Sequence, residues 1–230
     1  MKTFAFVFAR GGSKSVPGKN IREFSNQPLL IYTLEIAKKI QEISNIFVST
    51  EDIQIAEVAN KWGAIVIDRP KELAQDDSPE WLAWQHAVEW ALEHRGNFDR
   101  FVSLPTTSPL RNKTDVQACL DALDGKTDMV LTMTETNRSP WFNMVRVRED
   151  GYVSLLIEGS NHFIRRQDVP KSYDMTTVAY VSRPSFILSE KNLFNGKVKA
   201  VLIPTERSID IDTELDWEVA EYLFKKRKNG

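Results

Sequence analysis

The chain has 230 residues, is 42% hydrophobic and 27% charged, and carries a formal net charge of -2, long enough to bury a full core as one domain with an elaboration. The slight acidic balance, with an isoelectric point near 6.0, argues against a nucleic-acid binder, and no apolar run approaches the roughly 20 residues that span a bilayer. One cysteine, Cys119, leaves no disulfide framework and fits a reducing, cytoplasmic compartment.

Met1 to Arg10 reads as a strand running into a loop rather than as a signal peptide. Phe4 to Phe8 is a nearly unbroken apolar run, the pattern of a strand covered on both faces. A helix follows over Leu29 to Ile40, with Leu30, Leu34 and Ala37 on one face. Ile46 to Thr50 is a strand, Ile53 to Trp62 a helix and Ala64 to Ile67 a third strand. Ser78 and Pro79 read as a cap and first helical residue. The helix they open buries Trp81, Trp84, Val88, Ala91 and Leu92. Phe101 to Leu104 is a strand, and Val116, Cys119, Leu120 and Leu123 mark the core stripe of the next helix. Met129 to Met133 is another strand. This alternation predicts an α/β, Rossmann-like, mostly parallel sheet with helices on both faces.

The rhythm breaks after Thr134. Met144 to Arg148 and Tyr152 to Ile157 read as an inserted β-hairpin turning at Glu149-Asp150-Gly151, inside a helix-free segment of about residues 136–174. An isolated hairpin is marginal in water, so this one implies a partner surface. The sheet resumes at Thr177 to Val181 and Val198 to Ile203. A last helix, Glu214 to about Lys225, is expected to bury Leu215, Val219, Tyr222 and Leu223, with Thr213 and Asp216 as its cap.

Two segments carry most of the chemistry. Arg10, Gly11, Gly12, Ser13, Lys14, Lys19 and Asn20 follow the first strand, where open α/β sheets bind ligands. Glycine amides and cationic side chains there suit a triphosphate, although the spacing is neither a Walker loop nor a dinucleotide fingerprint. Near the other end, Asp210 and Asp212 lie two apart on what reads as a strand end, so both carboxylates share one side. Hard oxygen ligands so placed suit Mg²⁺ completed by phosphate and water. The alternative for Asp212 is a turn or helix-cap aspartate.

Leu104 to Arg111 is either a proline-stiffened connection or a substrate loop. In the second reading Thr107 and Ser108 offer hydroxyls and Arg111 a fork for an anion. Arg69-Pro70 through Ser78 forms a polar loop at the same edge. Arg165, Arg166 and Gln167 stand as surface residues or as substrate contacts. His86, His94 and His162 lack metal-ligand spacing, and Cys119 reads as a buried thiol.

Together these blocks resemble the CMP-sialic acid synthetases (acylneuraminate cytidylyltransferases), relatives of the enzymes that activate KDO. Ala9 to Lys14 with Lys19-Asn20 is similar to their CTP-binding signature. Arg69-Pro70-x-Glu72-Leu73-Ala74 is similar to their cytosine-side loop, and Thr107 to Arg111 and Ser208 to Asp216 to two further motifs. The blocks keep their order from about residue 3 to residue 217.

The resemblance implies one nucleotidyltransferase domain over residues 1–230 that takes CTP and a 2-keto sugar acid to a CMP-sugar and pyrophosphate. Arg10 and Lys19 would hold phosphates with Asn20 nearby, Arg69 would face cytosine, and Asp210 and Asp212 would hold Mg²⁺. It further implies a homodimer formed through the insertion, with no nucleic-acid or membrane partner. Departures fall on the sugar side. Pro105 replaces a common glutamine, and Tyr173 to Thr177 replaces a common arginine and Asn-Gly pair. The expected acceptor is therefore sialic acid or a relative such as legionaminic acid. Two other readings are a nucleotide-sugar glycosyltransferase using its Asp-x-Asp for metal, and a non-catalytic nucleotide-binding module.

Overall fold

A computed structural model describes residues 1–158 and 165–228. Its elements in chain order are β1 (Thr3–Phe8), β2 (Glu23–Phe24), β3 (Gln27–Pro28), α1 (Leu29–Lys38), β4 (Ile43–Thr50), α2 (Ile53–Lys61), β5 (Ile65–Asp68), α3 (Glu80–Arg95), β6 (Arg100–Ser103) and α4 (Lys113–Ala122). β7 (Met129–Glu135), β8 (Val145–Val147), β9 (Val153–Leu155), β10 (Tyr173–Ser182), α5 (Pro184–Ser189), β11 (Val198–Leu202) and α6 (Glu214–Lys228) complete them. Seven strands form the central sheet in the order β11-β7-β10-β6-β1-β4-β5. All pair in parallel except β10, which runs antiparallel to both β6 and β7.

The period of two along β1 splits the core between the two faces of the sheet. Ala5 and Val7 join Leu30, Leu34, Ile55, Val116 and Cys119 under α1, α2 and α4. Phe4 and Phe6 join Trp81, Trp84, Val88 and Ala91 of α3 on the other side. Burial pushes the Cys119 thiol up to about 12, as expected for a core thiol. Helices thus cover both faces, and the mostly parallel sheet is as the sequence predicts.

A third cluster positions the site. Val16 from the loop after β1, Phe24, Leu29 and Tyr32, Leu110, and Ile211, Trp217, Ala220 and Phe224 pack together. It sets the phase of α6 differently from expectation. Trp217, Ala220 and Phe224 are buried, while Leu215, Val219 and Tyr222 are exposed. The helix carries two apolar stripes, and the one with the larger aromatic surface meets Phe24 and Tyr32 edge-on. Thr213 and Asp216 do cap it: the Thr213 amide donates to Asp216 at 2.7 Å and the Asp216 amide to Thr213 Oγ1 at 3.2 Å.

A second correction concerns α3. Pro79, not Ser78, occupies the cap position, without a side-chain hydrogen bond, so Glu80 is the first helical residue. The expected hairpin is present as β8 paired with β9. Its turn places Gly151 at φ 82°, where a side chain would be strained. Val145, Val147, Tyr152 and Val153 are exposed. Among the described residues no helix is long and apolar enough to cross a membrane.

Candidate active site

At the carboxyl ends of β1, β5 and β6 lies a cleft of about 460 Å³ lined by Phe8, Arg10, Ser13, Lys14, Lys19, Asn20, Arg69, Glu80, Thr106, Thr107 and Asp212, among others. Its first wall is the loop after β1. Asn20 is buried and fastens that loop, donating to the Arg10 carbonyl at 2.9 Å and accepting from Thr106 Oγ1 at 2.5 Å. Asn20 therefore joins two walls of the cleft. Gly18 takes φ 63°, the left-handed turn that brings Lys19 back.

Gly11 is a case of close approach. A Cβ there would stand 2.3 Å from Asp52 Oδ2, whereas one at Gly12 would meet nothing. Asp52 is held in place because it caps α2 through the amides of Gln54 and Ile55. The Gly11 amide donates to Glu51 Oε1 at 2.7 Å and the Ser13 amide to the Gly11 carbonyl at 3.0 Å. Those two amides are thus engaged within the protein, and the cations are the loop's main offering to an anion.

The two ends of the chain meet at Ile211. Its side chain is fully buried, its amide donates to the Thr107 carbonyl at 2.9 Å, and its carbonyl accepts from Lys19 Nζ at 2.5 Å. Lys19 Nζ also lies 3.6 Å from Asp212 Oδ1. The segment lies outside any strand rather than at the expected strand end. Its flanking carboxylates consequently differ. Asp212 is exposed at 72% of its side chain. Asp210 is half-buried, and its Oδ1 has no hydrogen-bond partner among the described residues. Desolvation raises the Asp210 carboxyl above its ordinary range. Hydrogen bonds from Thr107 and Thr177 oppose the rise and the charge of Asp212 adds to it.

A buried unpartnered carboxylate oxygen beside an exposed carboxylate fits a hard divalent cation. Among the described residues no three acidic, histidine or cysteine side chains cluster as a metal site, so phosphate or water would have to complete the shell.

Arg69, expected to face a base, lines the cleft but is 5% exposed. It donates to Ser49 Oγ through Nε at 3.0 Å and to the Ser49 carbonyl through Nη2 at 2.5 Å. Burial lowers its pKa, with Glu51 and Glu80 opposing. Thr107 lines the cleft, while Ser108 is buried with its hydroxyl on Thr177 at 2.7 Å.

Arg111 departs from the expected substrate fork. It is 1% exposed and donates to the Pro105 carbonyl, and its Nε and Nη1 have no partner among the described residues. Burial depresses it to about 9, against the pull of Asp210 and Asp115. It belongs to the wall that shapes the Pro105–Ser108 turn, not to the cleft surface. Gln167 lies in a separate hollow of about 320 Å³ with Glu135, Arg138 and Tyr173. Arg166 opens a short 3-10 turn over Arg166–Asp168, and His162 falls outside the described residues.

Three acids beyond the sequence-based set matter. Asp76 pairs with Arg10 at 2.8 Å and Lys14 at 2.5 Å, and the bonds from Lys14 and Arg10 pull its carboxyl below the ordinary range. Glu51 anchors Gly11. Glu80 lines the cleft and accepts the Trp84 indole N–H at 3.1 Å. Although the residue is exposed overall, desolvation raises its carboxyl, with Trp84 and Arg69 opposing. Glu51-Asp52 carried a readable signal, as an acidic pair at the end of the strand beside β1. An acid in the first turn of a helix looks ordinary, which hid Glu80.

Residues 4–223 match the cytidylyltransferase family. The chain belongs to that family. It is a nucleotidyltransferase. It is 31% identical over 98% of its length to a pseudaminic acid cytidylyltransferase of Campylobacter jejuni, covering 97% of that protein. It is 28% identical over 95% of its length to the CMP-N,N'-diacetyllegionaminic acid synthase of Campylobacter jejuni, covering 93% of it. Among solved structures, a CMP:2-keto-3-deoxy-manno-octonic acid synthetase complexed with CTP superposes with a TM-score of 0.73 at 16% identity, over 99% of this chain and 100% of the other. That likeness establishes the shared fold. The glycosyltransferase and non-catalytic readings are set aside by the family.

Proposed function

We propose that this cytidylyltransferase activates a 2-keto sugar acid of the sialic acid type, such as legionaminic or pseudaminic acid, with CTP. The anomeric oxygen bonds to the α-phosphorus as the bond to the bridging oxygen breaks and pyrophosphate departs. The observation that carries the reading is the junction at Ile211, where Lys19 of the cationic loop meets Asp212 of the acidic segment at 3.6 Å. Arg10, Lys14 and Lys19 bind and orient the phosphates, and catalysis of such transfer rests on positioning and charge neutralisation. Asp210 and Asp212 are the residues that would hold Mg²⁺. When bound, such an ion offsets charge on the phosphate oxygens.

The sugar class is supported by the names of the relatives and by the altered sugar-side segments around Pro105 and Tyr173 to Thr177. A homodimer built through the exposed hairpin and a cytoplasmic location complete the proposal. The test is pyrophosphate release with CTP against ATP, GTP and UTP, across a panel of 2-keto sugar acids including sialic, legionaminic and pseudaminic acids. Release is expected with CTP and at least one of them. Asp212→Ala is expected to lose roughly a hundredfold or more with an unchanged melting temperature. No release with any acid, or full activity in Asp212→Ala, would overturn the proposal.

A further inference from the structure

We infer that Asp76 is an internal competitor for phosphate: it straps the loop after β5 onto Arg10 and Lys14, and a polyphosphate must displace it to bind there. The inference rests on the proposed role of those two cations in phosphate binding and deepens it. Asp76 Oδ1 lies 2.8 Å from Arg10 Nη1, and Asp76 Oδ2 lies 2.5 Å from Lys14 Nζ. Each oxygen serves a different cation. Two oxygens of one phosphate would be shared between a guanidinium and an ammonium in the same way.

The other charged groups lining the cleft are engaged elsewhere. Lys19 donates to the Ile211 carbonyl and stands beside Asp212, Arg69 donates to Ser49, and Glu80 accepts from Trp84. Asp76 is the acid, among the described residues, that pairs with Arg10 and Lys14. Arg10 Nη1 also donates to the Ala74 carbonyl at 3.4 Å, so backbone and carboxylate of one loop hold the same guanidinium.

The strap is of a strength that can yield. The side chains of Arg10, Asp76 and Lys14 are 36%, 45% and 84% exposed, and ion pairs in contact with water contribute little each. One carboxylate brings a single charge to two cations, whereas a polyphosphate brings several. The polyphosphate therefore wins, but its apparent affinity is reduced by the fraction of molecules in which the strap is closed.

The test is calorimetric binding of inorganic pyrophosphate to the parent, Asp76→Asn and Asp77→Asn. Asp77 is exposed, lies outside the cleft lining and forms no ion pair among the described residues. Its variant therefore reports the loss of one nearby negative charge alone. Asp76→Asn is expected to bind pyrophosphate roughly three- to thirtyfold more tightly than the parent, the range for two exposed ion pairs. Asp77→Asn should change affinity by less than about twofold, since an exposed charge outside the cleft is screened. Carboxyl-detected NMR gives a second readout. Before pyrophosphate is added, Lys14 and Arg10 hold the Asp76 carboxyl below its ordinary range, and addition should move it back up. Binding by Asp76→Asn no tighter than by Asp77→Asn, or an Asp76 titration that pyrophosphate leaves unmoved, overturns the inference. CTP turnover by the parent would then leave the cytidylyltransferase reading standing. A parent that neither binds pyrophosphate nor turns over CTP removes both.

Discussion

The opening loop shows how far two adjacent glycines can differ. Gly11 and Gly12 look alike in the sequence, yet only Gly11 has a neighbour that a methyl group would strike, Asp52 Oδ2 at 2.3 Å. Because Asp52 caps α2, relief would come at the cost of the cap or the loop. Gly11→Ala is expected to lower stability by about 1 kcal/mol or more, the usual worth of a lost N-cap, and to disturb the placement of Arg10. Gly12→Ala should melt with the parent. Urea titrations of the two variants check this, and equal midpoints would show that the contact yields without cost. Residue type alone could not separate the pair, since the distinction lives in α2, some forty positions on. The same holds for Arg111: the sequence displays a guanidinium, but only the packing reveals that it turns inward to the Pro105 carbonyl.

At the level of elements, the strands and helices that pass through the middle of the sheet were legible because their apolar periods are unambiguous. β1 alternates phenylalanines with small residues, and α3 carries tryptophans at helical spacing. Two features were not. β10 reads as one more strand, but it runs reversed because the insertion leaves and re-enters at the same end of the sheet, with Tyr173 opposite Glu135, and no local pattern records that. α6 has two apolar stripes, and the choice between them is made by Phe24 and Tyr32, nearly two hundred residues earlier. The outcome is measurable. Phe224→Ala, at a site 6% exposed, should cost about 3 kcal/mol or more in chemical denaturation. Leu215→Ala, at a site 68% exposed, should fall within about 0.5 kcal/mol of the parent. The reverse order would mean that α6 packs through its other face.

For the molecule as a whole, the hairpin leaves much of its apolar surface uncovered. Val145, Val147, Tyr152 and Val153 are 57%, 74%, 70% and 61% exposed, an apolar surface of the kind that marks an interface. Replacing residues 144–157 by a short glycine-serine turn is expected to convert a dimer into a monomer on a calibrated sizing column or by light scattering. A parent that is already monomeric, or a shortened chain that still dimerises, would rule out this role for the hairpin.

The junction at Ile211 also bears on how the enzyme comes into being. A chain still emerging from the ribosome, complete as far as β11, already displays Arg10, Lys14 and Lys19. It has no Ile211 carbonyl to steady Lys19 and no α6 to hold Ile211 down. On the proposed function, nucleotide capture in a productive pose is expected only once synthesis has passed Phe224, in one late step rather than growing with chain length.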